Sequence, residues 1–323
     1  MKKMLLFAAV FFAAVSGVVA QSHELWYSQP AASWLEALPI GNSHMGAMVY
    51  GGTATEEIQL NEETFWSGSP YNNDCSEAKD YLQEVRQLIY EGKEQEAHNL
   101  INAHFIKGPH GMRFLPLGSV KLGFNGHENA MDYRRSLSLG NAVASKHYRV
   151  NGVKYEQTVF ASLADNTIVV HITSSRRKAL SFKVAFDSQL TAQRMVDNHQ
   201  LIAHVKNVEQ EGIEAGLMAE CRIAVSTDGV VTDGDEDLTI GKATTATIYI
   251  TAATNYVSYN DVSGNPTKKN LLALTALEGK PYQELLDRHV KKYREQYDRV
   301  SLSLPKSDTS GLETDKRLAV FAQ

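Results

Sequence analysis

The sequence predicts a mainly β protein, a large antiparallel β-sandwich with helical additions. After residue 117, most of the chain alternates apolar and polar side chains with period two, which is the pattern of half-buried strands. The clearest runs cover residues 180–186 and 246–252, and further runs cover 167–173 and 200–206. Because short turns join these runs, stacked antiparallel sheets are favoured over a parallel sheet, which needs long crossovers.

Three residue pairs are predicted to form tight turns between strands. The pair Asn151-Gly152 readily takes the positive φ angles of a two-residue hairpin. Asp165-Asn166 precedes a further strand-like run and carries turn-forming side chains. Gly51-Gly52 separates strand-like runs at 45–50 and 57–60, so it is interpreted as a hairpin turn and not as a nucleotide-binding loop.

Two regions break the strand pattern and predict helices. Between residues 77 and 105, apolar residues recur at three- and four-residue spacing on both sides of Gly92, which predicts a helical hairpin inserted among the strands. Residues 281–300 begin with a proline and predict one long helix. This helix follows a predicted loop at 258–269, which marks the end of the sandwich.

The beginning of the sequence predicts a cleavable secretion signal at residues 1–20. Lys2 and Lys3 precede an apolar run, and small residues follow it before Gln21. The apolar run is shorter than the roughly 20 residues that a membrane-spanning helix needs. We therefore expect an exported protein, periplasmic or extracellular, without membrane insertion.

The end of the sequence predicts a short helix from Thr314 onward. Its apolar residues Leu318 and Phe321 have little sequence left to pack on, so the chain is expected to stop within an element. A frayed natural terminus is the alternative.

Composition and charge exclude several classes of protein. The chain has 323 residues, of which 43% are hydrophobic and 21% charged, values ordinary for a folded soluble protein of one large or two ordinary domains. The first twenty residues carry two lysines and no acid, so the formal net charge of −5 becomes −7 without them. This acidic balance, without a basic stripe, argues against nucleic acid as a partner.

The two cysteines, Cys75 and Cys221, are too few for a disulfide scaffold. Cys221 lies on the apolar face of a strand-like run and is predicted to be a buried small hydrophobe. The spacing leaves open whether the two pair.

The residues that suggest chemistry lie between 61 and 66. Glu62 and Glu63 could form the acid and base pair of a glycosidase. Neighbouring residues of an extended chain point to opposite sides, so they are not expected to flank one glycosidic bond. Phe65 and Trp66 could stack on a sugar ring, but packing under the loop or against another domain is favoured. Asn61, Glu62 and Trp66 are the candidate contacts with carbohydrate or with a neighbouring domain.

No metal site, cofactor or catalytic residue is predicted. His98, His104 and His110 are six residues apart, which is neither the spacing of one helix face nor a recognised zinc spacing, so structural or surface roles are expected. The sequence contains no phosphate-binding loop, dinucleotide fingerprint, nucleophile elbow or Cys-x-x-Cys pair. The residues alone describe an exported β-sandwich without a self-contained active site.

A series of motifs resembles glycoside hydrolase family 95, the inverting α-L-fucosidases. The resemblance starts with two motifs near the beginning of the mature chain, PIGNSHMGAMVYGG at 39–52 and IQLNEETFWSG at 58–68. It continues through the helical hairpin and through four later motifs, PLGSVKLGF at 116–124, YRRSLSL at 133–139, VFAS at 159–162 and TDKRL at 314–318. It covers nearly all of the mature chain.

The resemblance implies a β-supersandwich at 21–275 and a helical linker at 276–323, truncated before an (α/α)6 barrel. In the family, the general acid Glu and the Asn and Asp residues that hold the attacking water belong to that barrel, so no catalytic residue is carried over to this chain. Ile40 and Ser43-His44 depart from the family's opening motif, and related enzymes act on L-galactosides. The fragment could thus derive from a related α-L-galactosidase.

The leading hypothesis from the sequence is the non-catalytic N-terminal module of an exported α-L-fucosidase-like glycoside hydrolase. Its expected partners are a fucosylated glycan, through the intact enzyme, and a missing or separately encoded catalytic barrel. The alternatives are a stand-alone carbohydrate-binding sandwich and a scaffold that docks the barrel.

Overall fold

The protein is built on two antiparallel sheets. The computed structural model describes residues 23–106, 108, 111–302, 305 and 309–321. The predicted signal at 1–20 and His110 lie outside these residues. The strands are β1 (Glu24–Tyr27), β2 (Leu38–Gly41), β3 (Met45–Val49), β4 (Thr55–Glu62), β5 (Gly118–Gly123), β6 (Met131–Ser138), β7 (Val143–Val150), β8 (Val153–Ser162), β9 (Thr167–Ser174), β10 (Leu180–Asp187), β11 (Ala192–Asp197), β12 (Gln200–Lys206), β13 (Met218–Thr227), β14 (Val230–Asp233), β15 (Asp237–Ala243) and β16 (Thr245–Thr254).

The strands stack as a nine-stranded and a seven-stranded sheet around one apolar core. The larger sheet has the order β1-β6-β7-β8-β9-β16-β13-β12-β11, and the smaller has the order β14-β15-β10-β5-β4-β3-β2. Alternate residues of each strand enter the core, as Ile58 and Leu60 do from β4. The predicted sandwich with helical additions is confirmed.

The predicted turns occupy the expected positions. Asn151 and Gly152 have φ angles of 49° and 76° and join β7 to β8. Gly51 has a φ of 79° in the connection from β3 to β4, and a Cβ there would lie 2.5 Å from the Tyr133 hydroxyl. A Cβ on Gly52 would lie 1.8 Å from the carbonyl oxygen of Thr55, so both glycines are required by the space around this turn.

A buried ion pair joins the two sheets beside this turn. The Lys146 ammonium on β7 lies 2.5 Å from the Glu56 carboxylate on β4, and Gln157 on β8 donates to the same carboxylate at 2.9 Å. Glu56 also accepts from the backbone N–H of Gly51 at 2.7 Å, and Lys146 donates to the Gly52 carbonyl. Burial lowers the pKa of Lys146. The pair therefore fixes the turn and the stacking of the sheets at one point.

Five α-helices surround the described part of the sandwich: α1 (Ala78–Tyr90), α2 (Glu94–His104), α3 (Pro266–Thr275), α4 (Tyr282–Tyr297) and α5 (Thr314–Phe321). The helical hairpin and the long helix after Pro281 are confirmed. α1 and α2 pack on each other, and each buries one residue, Val85 and Ala97. In α5, Leu318 and Phe321 are exposed as expected.

The predicted loop at 258–269 is wrong in its last four residues, because α3 begins at Pro266. The side chain of Asn265 accepts from the backbone N–H of Lys268, and a proline occupies the first turn, where no donor is needed. α3 packs on β13 and β16, and Asn270 donates to the Glu220 carbonyl at 2.8 Å.

The long helix α4 packs on β8 and β9 at the outer face of the nine-stranded sheet. Leu285 packs with Phe160 and Val169 in a second, smaller apolar cluster. The ring of Tyr282 stacks on His171 of β9 with centroids 3.7 Å apart.

Both cysteines are free thiols in the described structure. Cys221 is buried as predicted, and burial raises the pKa of its thiol. No disulfide joins it to Cys75.

Replacing one member of the buried pair is expected to destabilise the fold strongly. Lys146→Met leaves the Glu56 carboxylate buried without a counter-charge, which costs about 3–5 kcal/mol. Lys183→Met is the matched control, since Lys183 forms an exposed pair with Asp237 and its loss costs about 0–1 kcal/mol. Urea unfolding measures both changes, and equal destabilisation by the two variants contradicts the assigned role of the pair.

Acid is expected to weaken the packing of α4 through His171. An unfolded histidine takes up its proton near pH 6.5, whereas burial lowers the pKa of His171 to about 4. Between these two pKa values the unfolded chain binds more protons than the folded chain. The stability that the neutral His171 ring contributes above the unfolded pKa is therefore lost as the pH falls toward 4. Because the ring is partly exposed, we expect about 1–2 kcal/mol to be lost from this residue.

The variant His171→Phe retains an aromatic ring against Tyr282 and is expected to flatten the fall of the unfolding free energy between about pH 7 and pH 4. His98→Phe, at an exposed position of α2, is the control and should retain the wild-type slope. Identical slopes for both variants would overturn this assignment.

Candidate functional site

A cleft of about 640 Å³ lies at one end of the sandwich, where β4 and β16 end and β13 begins. It is defined here as the Trp66 cleft. Four parts of the chain that are distant in sequence enclose it, and its lining consists of Glu63, Thr64, Trp66, Ser67, Ser69, Pro70, Tyr71, Asn73, Met112, Leu217, Tyr256, Tyr259 and Val262.

Trp66 is held in a fixed position although its side chain is 41% exposed. Its indole Nε1 donates to the Glu63 carbonyl at 2.9 Å. Its ring packs against Phe114 with centroids 5.0 Å apart, and a backbone bridge also links these two residues. Phe65 is fully buried in the core, so the packing predicted for this aromatic pair is confirmed for Phe65, whereas Trp66 faces the cleft.

Side chains from the β12–β13 connection fix the loop that carries Trp66. Asn207 donates to the carbonyl oxygens of Trp66 at 2.7 Å and Gly68 at 2.6 Å. Gly68 has a φ of 68°, and a Cβ there would lie 2.6 Å from the Met112 sulfur. Ser67 donates to the side chain of Gln210 at 2.6 Å. The loop is therefore ordered by contacts on several sides.

The two adjacent carboxylates have different environments. Glu62 is buried, and its carboxylate accepts from the backbone N–H and the hydroxyl of Thr64, both at 2.8 Å. Burial raises the pKa of Glu62, and the Thr64 hydrogen bonds and the nearby His44 oppose this shift. Glu63 is 55% exposed and lines the cleft.

The two carboxylates nevertheless approach the same imidazole. His44 Nδ1 lies 3.0 Å from Glu63 and 3.6 Å from Glu62, and its Nε2 lies 3.2 Å from the Ala252 carbonyl. Glu62 and Glu63 were predicted to point to opposite sides of the strand. The prediction holds for their exposure, since one is buried and the other exposed, but it does not hold for the shared contact with His44, because β4 ends at Glu62 and the alternation stops there. Only Glu63 is accessible from the cleft.

The three candidate contact residues are not brought together. Trp66 lines the cleft, Glu62 lies in the core below it, and Asn61 faces the outer side of β4. The Asn61 amide is 3.4 Å from the Leu115 carbonyl, outside the cleft lining.

Most of the other cleft residues are not among the candidates that the sequence pattern indicates. Tyr71 and Asn73 follow Pro70, and Tyr256 and Tyr259 lie in the segment after β16. The available signal is a run of aromatic and amide residues that overlaps the start of the predicted loop, NYVSYN at 255–260. That these segments meet depends on which strands end side by side, which the local pattern does not contain.

No group of three or more His, Cys, Asp or Glu side chains within the described ranges is arranged to hold a metal ion. The His104 ring stacks on Tyr81 with centroids 3.6 Å apart, and His98 is exposed on α2. Among the helices of the described residues, none has the length and apolarity needed to span a bilayer.

The described lining of the cleft can bind, but it carries little chemistry. It includes one carboxylate, no cation and no paired acid and base, together with exposed aromatic rings and short polar side chains. Such a surface suits a neutral ligand with hydroxyl groups.

Comparisons with curated proteins show three relatives with related names. The chain is 29% identical to "Alpha-L-fucosidase 2" of Arabidopsis thaliana over 89% of this chain and 37% of the relative. It is 23% identical to "Probable alpha-fucosidase A" of Aspergillus niger over 94% of this chain and 41% of the relative. The protein of the same name from Aspergillus oryzae is 25% identical over 91% of this chain and 43% of the relative. The chain thus spans less than half the length of these relatives.

A solved structure described as "Putative kojibiose phosphorylase from human microbiome" shares the fold. Its TM-score to this chain is 0.50 at 11% identity, over 88% of this chain and 38% of the other.

The family comparison matches residues 25–259 to the model described as "Glycosyl hydrolase family 65, N-terminal domain". The motif resemblance pointed to family 95, whereas the matching model describes family 65. Because the match covers most of the chain and spans both sheets, the chain belongs to the family of glycosyl hydrolase family 65 N-terminal domains.

Proposed function

We propose that this chain is the non-catalytic N-terminal domain of an exported α-L-fucosidase-like glycoside hydrolase of the family 95 type. The observation that carries the proposal is the similarity to a plant "Alpha-L-fucosidase 2" over 89% of this chain. The two fungal relatives carry related names, and the motifs at 39–52 and 58–68 support the same assignment.

The geometry of the cleft supports a non-catalytic role. Inverting hydrolysis of a glycoside requires an acid that protonates the leaving oxygen and a base that activates water, with carboxyl groups about 6.5–9.5 Å apart. In the Trp66 cleft, Glu63 is the one carboxylate of the described lining, and the carboxylate of Glu62 is buried and occupied by Thr64. The acid and base are therefore assigned to a barrel domain outside this chain.

The proposed partners follow from this assignment. The intact enzyme takes a fucosylated glycan as its substrate, and this domain contacts the catalytic barrel that the relatives' greater length accommodates. The basic, apolar and small-residue pattern at 1–20 supports export to the periplasm or the extracellular space.

Activity assays test the non-catalytic assignment. The purified chain is expected to show no turnover of 2′-fucosyllactose, an aryl α-L-fucoside or an aryl α-L-galactoside. A chimera that joins it to the portion of the Arabidopsis relative that it does not cover is expected to hydrolyse the fucosides. Turnover by the chain alone sinks the non-catalytic role, and a chimera that hydrolyses only the galactoside contradicts fucoside specificity.

Export is tested by expression in a Gram-negative host. The chain is expected in the periplasm with Gln21 as its first residue, because the small residues before it suit signal peptidase. Leu6→Arg interrupts the apolar run and should retain the chain in the cytoplasm. A wild-type chain that keeps Met1 argues against the signal.

A further inference from the structure

The Trp66 cleft has no part in the catalysis assigned to the barrel, yet its residues are arranged as a binding surface. Trp66 is 41% exposed and Tyr259 is 83% exposed, and both line the cleft. Large aromatic rings that a soluble protein holds exposed at the mouth of a concave surface are characteristic of recognition sites.

The position of Trp66 is fixed in advance of any ligand. Its Nε1 already donates to the Glu63 carbonyl, its ring packs on Phe114, and its carbonyl accepts from Asn207. A ligand that stacks on this ring would therefore pay little conformational entropy. With Nε1 occupied, the indole offers a ring face and edge for apolar contact.

Polar groups beside the rings match a ligand with many hydroxyl groups. The Glu63 carboxylate is oriented by His44 at 3.0 Å and is 55% exposed, so it can accept from two hydroxyls. Ser69 and Asn73 also line the cleft and offer a hydroxyl and an amide. Polar groups that converge on an apolar surface give a binding site its orientation and specificity.

The charge of the cleft lining disfavours anionic ligands. The described lining contains no Lys or Arg, and its one acidic side chain is Glu63. A phosphorylated, sulfated or carboxylated ligand would meet the Glu63 carboxylate with no Lys or Arg of the lining to balance its charge, whereas a neutral ligand would not.

We propose that the Trp66 cleft binds a neutral oligosaccharide, with the apolar face of one sugar ring on Trp66 and its hydroxyls toward Glu63 and Asn73. The volume of about 640 Å³ is in the range of small-ligand sites. The choice of a fucosylated glycan rests on the proposed function, whereas the binding of a neutral sugar rests on the cleft itself. The domain would then hold substrate at a site separate from the reacting bond.

The test is calorimetric titration of the purified chain with 2′-fucosyllactose and, in parallel, with lactose, up to about 10 mM, which resolves millimolar affinities. Trp66→Ala is expected to weaken binding at least about tenfold, as is common for a central Trp anchor. Trp66→Phe should restore part of the affinity.

Trp34→Ala is the matched control, because Trp34 is also exposed, at 53%. It precedes β2, whose first residue, Leu38, pairs with Val49 at the end of β3, so it lies at the end of the seven-stranded sheet opposite the cleft. Tyr259→Ala should also weaken binding, whereas Tyr90→Ala, at an exposed position outside the cleft lining, should not. Circular dichroism melts confirm that each variant is folded.

Three outcomes would overturn the proposal. The first is that the folded wild-type chain binds no sugar. The second is that Trp34→Ala lowers the affinity as much as Trp66→Ala does. The third is that Trp66→Ala lowers the activity of the chimera although the chain alone binds no sugar. The last result makes the cleft an interface between domains. If the chimera is active but the chain binds no sugar, the proposed function stands and the sugar-binding proposal fails. If the chain binds lactose as tightly as 2′-fucosyllactose, the cleft is a sugar site that does not recognise fucose.

Discussion

The sandwich and its cleft depend on how strand β4 is anchored to the opposite sheet. Two of its inward-facing residues are carboxylates in an otherwise apolar row, Glu56 near the start and Glu62 at the end. Burying a carboxylate is costly unless it is paired and hydrogen-bonded. Glu56 meets Lys146 and Gln157 from the nine-stranded sheet. Because the Glu56 carboxylate must meet Lys146 and Gln157, this contact fixes the position of one sheet over the other.

The second carboxylate links the fold to the site. Glu62 binds Thr64, and the hydroxyl of Thr64 lies 2.5 Å from that of Thr254 at the end of β16. This contact bridges the sheets where the cleft opens and sets the direction of the loop that follows. Asn207, the positive φ of Gly68 and the packing of Trp66 on Phe114 then hold Trp66 in its exposed position. Glu62 and Thr64, which lie in the stretch that suggested catalysis in the sequence, thus help to set the position of the loop that carries Trp66.

The sequence predicted the elements whose signals are local. The strand-like run predicted at 57–60 lies within β4, from which Ile58 and Leu60 enter the core, and the Asn151-Gly152 pair forms the predicted hairpin. The start of α3 was missed because it depends on a cap by Asn265 and not on apolar periodicity. The cleft was missed in large part because Tyr259 and Trp66 line the same cleft only through the order of β16, β13 and β12 and the stacking of the two sheets, which are long-range properties. The shared contact of His44 with two carboxylates depends on the register of the β3–β4 hairpin, in which Met45 pairs with Glu62, and the local pattern does not specify that register.

A crystal structure of the chimeric enzyme with a bound fucosylated oligosaccharide tests the division between binding and chemistry most directly. We expect a sugar ring against Trp66 in a cleft open to solvent, and a scissile bond flanked by carboxyl groups that all lie outside this chain. A cleft filled by protein from the barrel, or Glu63 placed beside the scissile bond, would contradict it.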